Sequence, residues 1–306
     1  MTSYFFRRLM AMIPVLVIIS LFVFGFVHVL PGDPARMLAG EDATLADVQA
    51  LRQTLGLDQP LIVQYFTFLK NLVTGDLGTS LRTGEPVYDM LARAFMPTFW
   101  LSFCALGWSL VFGLFIGVFS AVRHGRFADR VGMVLAVSGI SMPNFWLGIL
   151  LMQLFSLKLN WLGTSGFEKP QDLILPSITL GSSVAAVMAR FTRSSLVEVI
   201  REDYIRTARA KGLAPRLIVW KHALRNALIP IVTMTGLQFG FLLGGSIVIE
   251  RVFRWPGLGS VLVEAIDFRD YAVIQAELML FSFEFLLINL VTDILYGFIN
   301  PTIRYK

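Results

Sequence analysis

The sequence predicts an all-α integral membrane protein with six transmembrane helices. Three observations lead there. Hydrophobic residues make up 56% of the 306 residues and charged residues only 15%, where soluble domains carry about 25% charged residues. Mean hydropathy is +0.69. Six apolar stretches, at about 9–30, 99–121, 131–155, 174–191, 230–249 and 274–297, approach the ~20 residues that a helix needs to cross ~30 Å of hydrocarbon.

The first stretch follows Arg7 and Arg8. It is too long for the apolar core of a signal peptide and lacks a small-residue cleavage site, so it reads as a retained span. Turn residues Pro31-Gly32-Asp33-Pro34 end it. Two short helices are expected next, Ala43 to Leu55 and Leu61 to Leu72, with Leu45, Val48, Leu51 and Leu55 on one face of the first. Gly75-Asp76-Leu77-Gly78 then breaks the pattern. This 31–98 region reads equally as a docking surface for an external protein and as a folded cap on its own spans. Pro143 falls inside the third stretch, where it removes a backbone hydrogen bond and is expected to kink the helix. Pro176 stands near the start of the fourth, a nearly neutral position.

Charge sets the expected orientation. Arg123, Arg126 and Arg130 lie in the short segment 122–130, and nine Lys or Arg residues from Arg190 to Arg225 face only Glu198, Glu202 and Asp203. Arg7, Arg8, Arg304 and Lys306 mark the ends, whereas 31–98 holds more acids than bases. By the positive-inside rule both termini are expected in the cytoplasm and the 31–98 loop outside. The net charge of +5 does not indicate nucleic acid, because the bases cluster between apolar spans. Cys104 has no second cysteine to pair with and reads as a small buried apolar residue. His28, His124 and His222 fall in separate segments without ligand spacing, so no metal site is expected.

Between the fourth and fifth stretches the basic segment from Arg193 to Asn226 is too polar to span. Leu196, Ile200, Tyr204 and Ala208 recur every four residues and predict one helical stripe. Lys211-Gly212 ends that helix, with a cation in the last turn and a glycine free to adopt a left-handed cap. Ala214-Pro215 starts a second helix in which Leu217, Trp220, Leu224 and Leu228 share a face. The small residues Ala208, Ala210 and Gly212 would let another backbone come close. Such a knob suits a soluble partner that grips it, and it equally suits a hairpin lying on anionic lipid.

Residues Glu202-Asp203-Tyr204-Ile205-Arg206-Thr207-Ala208-Arg209-Ala210-Lys211-Gly212-Leu213 resemble the coupling loop of binding-protein-dependent ABC importer permeases, and more narrowly of their dipeptide, oligopeptide and nickel group. The general family motif has Glu-Ala-Ala ahead of the glycine. Arg206-Thr207-Ala208 stands there instead, and Pro230 lies further on, a departure typical of the peptide group. Ser141-Met142-Pro143, Arg225-Asn226-Ala227, Val252-Phe253, Trp255-Pro256-Gly257-Leu258-Gly259 and Arg269-Asp270-Tyr271 extend the likeness from the first span to Asn300-Pro301. The stretch Gly236 to Ser246 and the ending Asn300 to Lys306 resemble the glutathione-importing branch. The resemblance implies a half-transporter in the inner membrane. Its partners would be a second, related permease, two ABC ATPases and a periplasmic substrate-binding protein. It implies that Glu202, Asp203, Tyr204, Thr207, Ala208, Ala210, Lys211 and Gly212 contact an ATPase. No GxxxxGK[ST] motif is present, so ATP and Mg are expected on the ATPase chains, with no cofactor and no catalytic residue here. The implied division is residues 1–98 as first span plus external region and 99–306 as a five-helix permease core with the coupling loop at 193–229.

Inside the spans, Gly236, Gly240 and Gly244, and likewise Gly113 and Gly117, repeat at four-residue spacing and would let helices approach closely, within the chain or against a partner permease. Glu284 sits near the middle of the sixth stretch, where a charge costs at least ~2.5 kcal/mol. It is a candidate for lining a substrate pathway and equally for a structural role. Gln238 and Asn289 are further pathway candidates. Asp293 is expected to pair with Arg190 or Arg193. Two other classes compete. A secondary transporter would show inverted repeats and paired midplane charges, and no repeat is evident between the halves. An intramembrane enzyme needs a catalytic set, which Glu284 alone does not make.

Overall fold

The computed structural model describes residues 2–29, 33–40 and 43–299. Pro31, Gly32 and the ending Asn300 to Lys306, which entered the orientation and the resemblance, lie outside the described residues. The helices in chain order are α1 (Thr2–Val29), α2 (Pro34–Ala39), α3 (Leu45–Thr54), α4 (Leu61–Thr74), α5 (Val87–Val122), α6 (Phe127–Ser141), α7 (Asn144–Leu151), α8 (Ile174–Ile200), α9 (Asp203–Ala210), α10 (Pro215–Leu217), α11 (Leu224–Gly245), α12 (Ile247–Phe253), α13 (Leu258–Asp267) and α14 (Tyr271–Ile299). A π-helical turn, Met152–Lys158, extends α7, and a second, Ile218–Ala223, joins α10 to α11. Among the described residues there is no strand, only an isolated antiparallel bridge between Thr79 and Pro86.

Five helical segments are singly long and apolar enough to cross a membrane: Phe5–Val29, Val87–Val122, Pro170–Ile200, Pro215–Gly244 and Tyr271–Leu295. Phe127–Gly139 and Asn144–Lys158 pass together, bent by 95°, and make a sixth if taken as one span. The sharp bend falls at Pro143, which N-caps α7 in an extended conformation. Pro143 therefore breaks the third predicted helix outright rather than kinking it.

The chain divides into two compact units, and each is interleaved in sequence. One comprises 99–255 with 287–306. Its core joins Leu101 and Ala105 of α5, Met188 and Leu196 of α8, Ile231 and Leu242 of α11, Phe253 of α12 and Trp255 into one buried cluster. Close helix approach builds it. A Cβ at Gly113 would come 2.7 Å from Met188 Cβ and 2.9 Å from the Ala185 carbonyl, and one at Gly117 would come 2.7 Å from the Ala189 carbonyl. The Trp108 indole donates to the Ser177 carbonyl at 2.7 Å, and the Ser109 hydroxyl to the Gly181 carbonyl at 2.7 Å, so α5 and α8 are also pinned by hydrogen bonds.

The other unit comprises 2–98 with 256–286. Helices α3 and α4 form where the periodicity predicts them. Thr44 and Asp47 make a reciprocal capping box at the start of α3, and the Thr44 hydroxyl and amide hold the Asp47 carboxyl below its ordinary range. Gly75 ends α4 in the left-handed region. Residues far apart in sequence close this unit. The Ser80 hydroxyl donates to Asp270 at 2.5 Å, the Leu258 amide donates to the Thr98 hydroxyl at 2.8 Å, and the Arg82 guanidinium lies 3.7 Å over the Phe268 ring while bonding Glu264 at 3.2 Å.

Candidate functional site

The basic segment folds into two helical pieces around a glycine, with boundaries that differ from the predicted stripe. Helix α8 ends at Ile200, the chain turns at Arg201 and Glu202, and α9 begins at Asp203. Because of that turn, Ile205 and Ala208 are the buried residues of α9, and Tyr204 lies outside with its hydroxyl held by Asn226 Nδ2 at 2.7 Å. Ile205 and Ala208 belong to the same buried cluster as Met188, Leu196 and Phe253. The knob is thus a part of the core that protrudes, and force on it would reach α5, α8, α11 and α12 through packed side chains.

Gly212 ends α9 with φ of +74°. Its amide donates to the Arg209 carbonyl at 2.9 Å, and the Leu213 amide reaches back to Ala208 at 3.3 Å. This bond pair is a Schellman cap, and a residue with a Cβ would be strained in it by about 1–2 kcal/mol. Pro215 opens the next helix at its first turn. The π-helical turn then rotates the register, since each bond there spans one more residue than in an α-helix. Ile218, Ala223 and Ala227 are buried in consequence; of the four residues predicted to share a face, Leu224 and Leu228 pack against the core while Leu217 and Trp220 are exposed.

The eight residues that the resemblance assigns to an ATPase contact fall into two groups. Ala208 faces inward, and Glu202, Asp203, Tyr204, Thr207, Ala210, Lys211 and Gly212 are exposed. Asp203, Thr207 and Ala210 lie at i, i+4 and i+7 and form the centre of the outward face, opposite Ile205 and Ala208. Arg206 pairs with Asp203 at 3.4 Å along this face.

Beside the knob lies an ion pair that sequence reading missed. Arg193 donates to both oxygens of Asp129, at 2.6 and 2.8 Å, and to His124 at 2.9 Å. Asp129 is almost completely buried. Arg193 is therefore engaged by Asp129. The available signal was Asp129 itself, the one acid in a segment with three arginines.

Within the spans, a Cβ on Gly236 would overlap the Thr292 side chain, so α11 and α14 touch there. Gly240 is buried, and Gly244 has open space where its Cβ would be. Gln238 on α11 and Asn289 on α14 are half-buried. Glu284 on α14 is 6% exposed, and neither of its carboxylate oxygens has a hydrogen-bond partner. An ionised carboxylate left so would cost several kcal/mol. Among the described residues, no cluster of three or more His, Cys, Asp or Glu could hold a metal ion.

Apolar helices crossing repeatedly, a hinged basic knob continuous with their core, and a buried acid within an apolar helix define a multi-pass membrane permease. The chain belongs to the family of binding-protein-dependent transport system inner membrane components: that model matches residues 113–305, and the N-terminal model of the same membrane components matches 1–102. It is similar to the glutathione transport system permease protein GsiC of Pectobacterium atrosepticum, 59% identical over all 306 residues of both chains, and to that of Escherichia coli K12, 57% identical over the same length. In fold it is similar to the inward-facing MetNI methionine ABC transporter, with a TM-score of 0.61 and 23% identity over 71% of this chain and 99% of that one. The chain is an inner-membrane permease of an ABC importer, a transport component whose family carries its ATPase on a separate subunit.

Proposed function

We propose that this chain forms one transmembrane half of an ATP-driven importer that carries glutathione or similar small peptides across the inner membrane. The substrate class is supported by relatives 57–59% identical along their whole length that are named as glutathione transport permeases. Within the same family, dipeptides, oligopeptides and nickel are the alternatives. In this reading six spans cross the bilayer with the bent α6–α7 pair counted as one, both termini are cytoplasmic, and residues 31–98 belong to the external side. The second half is a related but different permease chain. Two ATPases bind ATP and Mg, and a periplasmic binding protein delivers substrate. Residues 1–98 serve as first span and external region, and 99–306 as the permease core with its coupling loop at 193–229.

One observation carries the mechanism. Helix α9 exposes Asp203, Thr207 and Ala210 on one face and sends Ile205 and Ala208 into the core on the other. An ATPase gripping the outward face would move the buried side chains with it, and rigid helices would convert ATPase closure into alternating access. Glu284, Gln238 and Asn289 line the pathway in this proposal, and Glu284 receives the substrate amino group. Gly113, Gly117, Gly236, Gly240 and Gly244 set the helix spacing.

The test uses the complete transporter. Thr207→Trp and Ala210→Trp enlarge the outward face without touching the core. Each is expected to cut uptake at least about tenfold, as losing a hot-spot contact of ~2 kcal/mol would, with this chain still inserted in the membrane. Full uptake by both variants with the ATPases attached would overturn the coupling role.

A further inference from the structure

We infer that α4 lies in the hydrocarbon of the leaflet crossed by the C-terminal half of α1, with one face on lipid, and is not a solvated part of the region between α1 and α5. The Tyr65 hydroxyl meets the Ser20 hydroxyl at 2.9 Å. Ser20 is almost fully buried and lies nine residues before Val29, where α1 ends, or about 14 Å along a helix rising 1.5 Å per residue. Half of the hydrocarbon is only ~15 Å thick. Other contacts fix the crossing higher on α1. Phe24 has its ring centroid 5.4 Å from that of Tyr65 and 6.1 Å from that of Phe68, and His28 meets Gln64 at 3.1 Å. Residues 64–68 of α4 therefore pass α1 at the height of Phe24, about 7.5 Å inside its end.

The two sides of α4 differ. Tyr65, Phe68 and Gln64 turn toward α1. Ile62, Phe66 and Val73, at i, i+4 and i+11, are turned away and are 71%, 63% and 86% exposed. A stripe of that kind at the depth of Phe24 would stand beside acyl chains, not water. On α1, Phe22, on the side opposite Ser20 and Phe24, is likewise 74% exposed. Lys70, the one charge of α4, has a four-carbon stem that lets its ammonium reach the interface from within the bilayer. The edge of α4 bearing Gln64, Thr67 and Asn71 lines a cavity of about 780 Å³ that also holds Asp33, Arg52 and Gln275. Helix α4 thus separates a hollow lined by both polar and apolar side chains from hydrocarbon, which accounts for an amphipathic helix that has no buried residue of its own.

The inference rests on α1 being a span, and the test keeps the two apart. In a Cys104→Ser chain, nitroxide labels at Ile62→Cys, Phe66→Cys and Val73→Cys are read in the full transporter, reconstituted in phosphatidylethanolamine and phosphatidylglycerol vesicles. Phe22→Cys reports on α1, and Gln53→Cys on α3 reports on water. Collision with oxygen is expected to exceed collision with a water-soluble nickel chelate several-fold at positions 22, 62 and 66, with the order reversed at 53. Nickel access at 62 and 66 equal to that at 53, with 22 shielded, would overturn the placement of α4 alone. Nickel access at 22 would overturn the span and the inference together. Shielding of 62 and 66 from both reagents would mean that protein covers the face, and would overturn it as well.

Discussion

Replacing Glu284 by Gln keeps the shape of the side chain and removes its charge. If Glu284 receives a substrate ammonium, the variant loses a charge-assisted hydrogen bond of ~1.5–3 kcal/mol, and the substrate concentration for half-maximal uptake should rise about tenfold or more. Uptake assays that return unchanged selectivity and rate would remove Glu284 from the pathway. Its position in the middle of an apolar stretch is visible in the sequence; its burial with both carboxylate oxygens unpartnered is not. Nor are the partners of the other polar residues. Asp129 with Arg193, Tyr204 with Asn226 and Ser80 with Asp270 are separated by 64, 22 and 190 residues. No local period encodes such pairs. Arg225-Asn226-Ala227 and Arg269-Asp270-Tyr271 were noticed as motifs, but their chemistry required the fold.

Among the elements, helix existence was legible and helix register was not. Periodicity located α3 and α4, and Gly212 was placed at the end of its helix for the reason the structure shows, a positive φ of +74°. The run Leu196, Ile200, Tyr204, Ala208 failed as a single stripe because the chain turns at Arg201 and Glu202. The face of Leu217 and Trp220 failed because a π-helical turn inserts an extra residue, a change of pitch that a fixed 100° step cannot anticipate. Close packing offers a test at this scale. Gly236→Val puts a branched side chain where Thr292 already sits, and overpacking of this kind costs typically about 1–3 kcal/mol. Thermal unfolding in detergent should therefore begin at lower temperature for Gly236→Val than for Gly244→Val, whose added atoms meet open space. Equal stability of the two variants would mean that α11 and α14 do not meet at Gly236.

For the molecule as a whole, membrane character and family were readable at once, because composition and the Glu202–Leu213 stretch both act over long runs of sequence. The division into units was not readable. The compact units interleave in sequence, 256–286 joining 2–98 and 287–306 joining 99–255, an order that a reading along the chain does not give. Purification of the whole assembly from mild membrane extracts tests the larger claim. Two ATPase chains, a second permease and a binding protein loaded with glutathione are expected to accompany this chain. Recovery of active, cation-driven transport by this chain alone would refute it.

The closure of the unit formed by 2–98 and 256–286 also orders events during synthesis. Ser80 emerges from the ribosome 190 residues before the Asp270 carboxylate it bonds, and Thr98 emerges 160 residues before the Leu258 amide. These two bonds of the first third of the chain must wait until translation is nearly finished. A messenger truncated after α12 would leave that region without the groups that lock it, a natural mark for quality-control proteases.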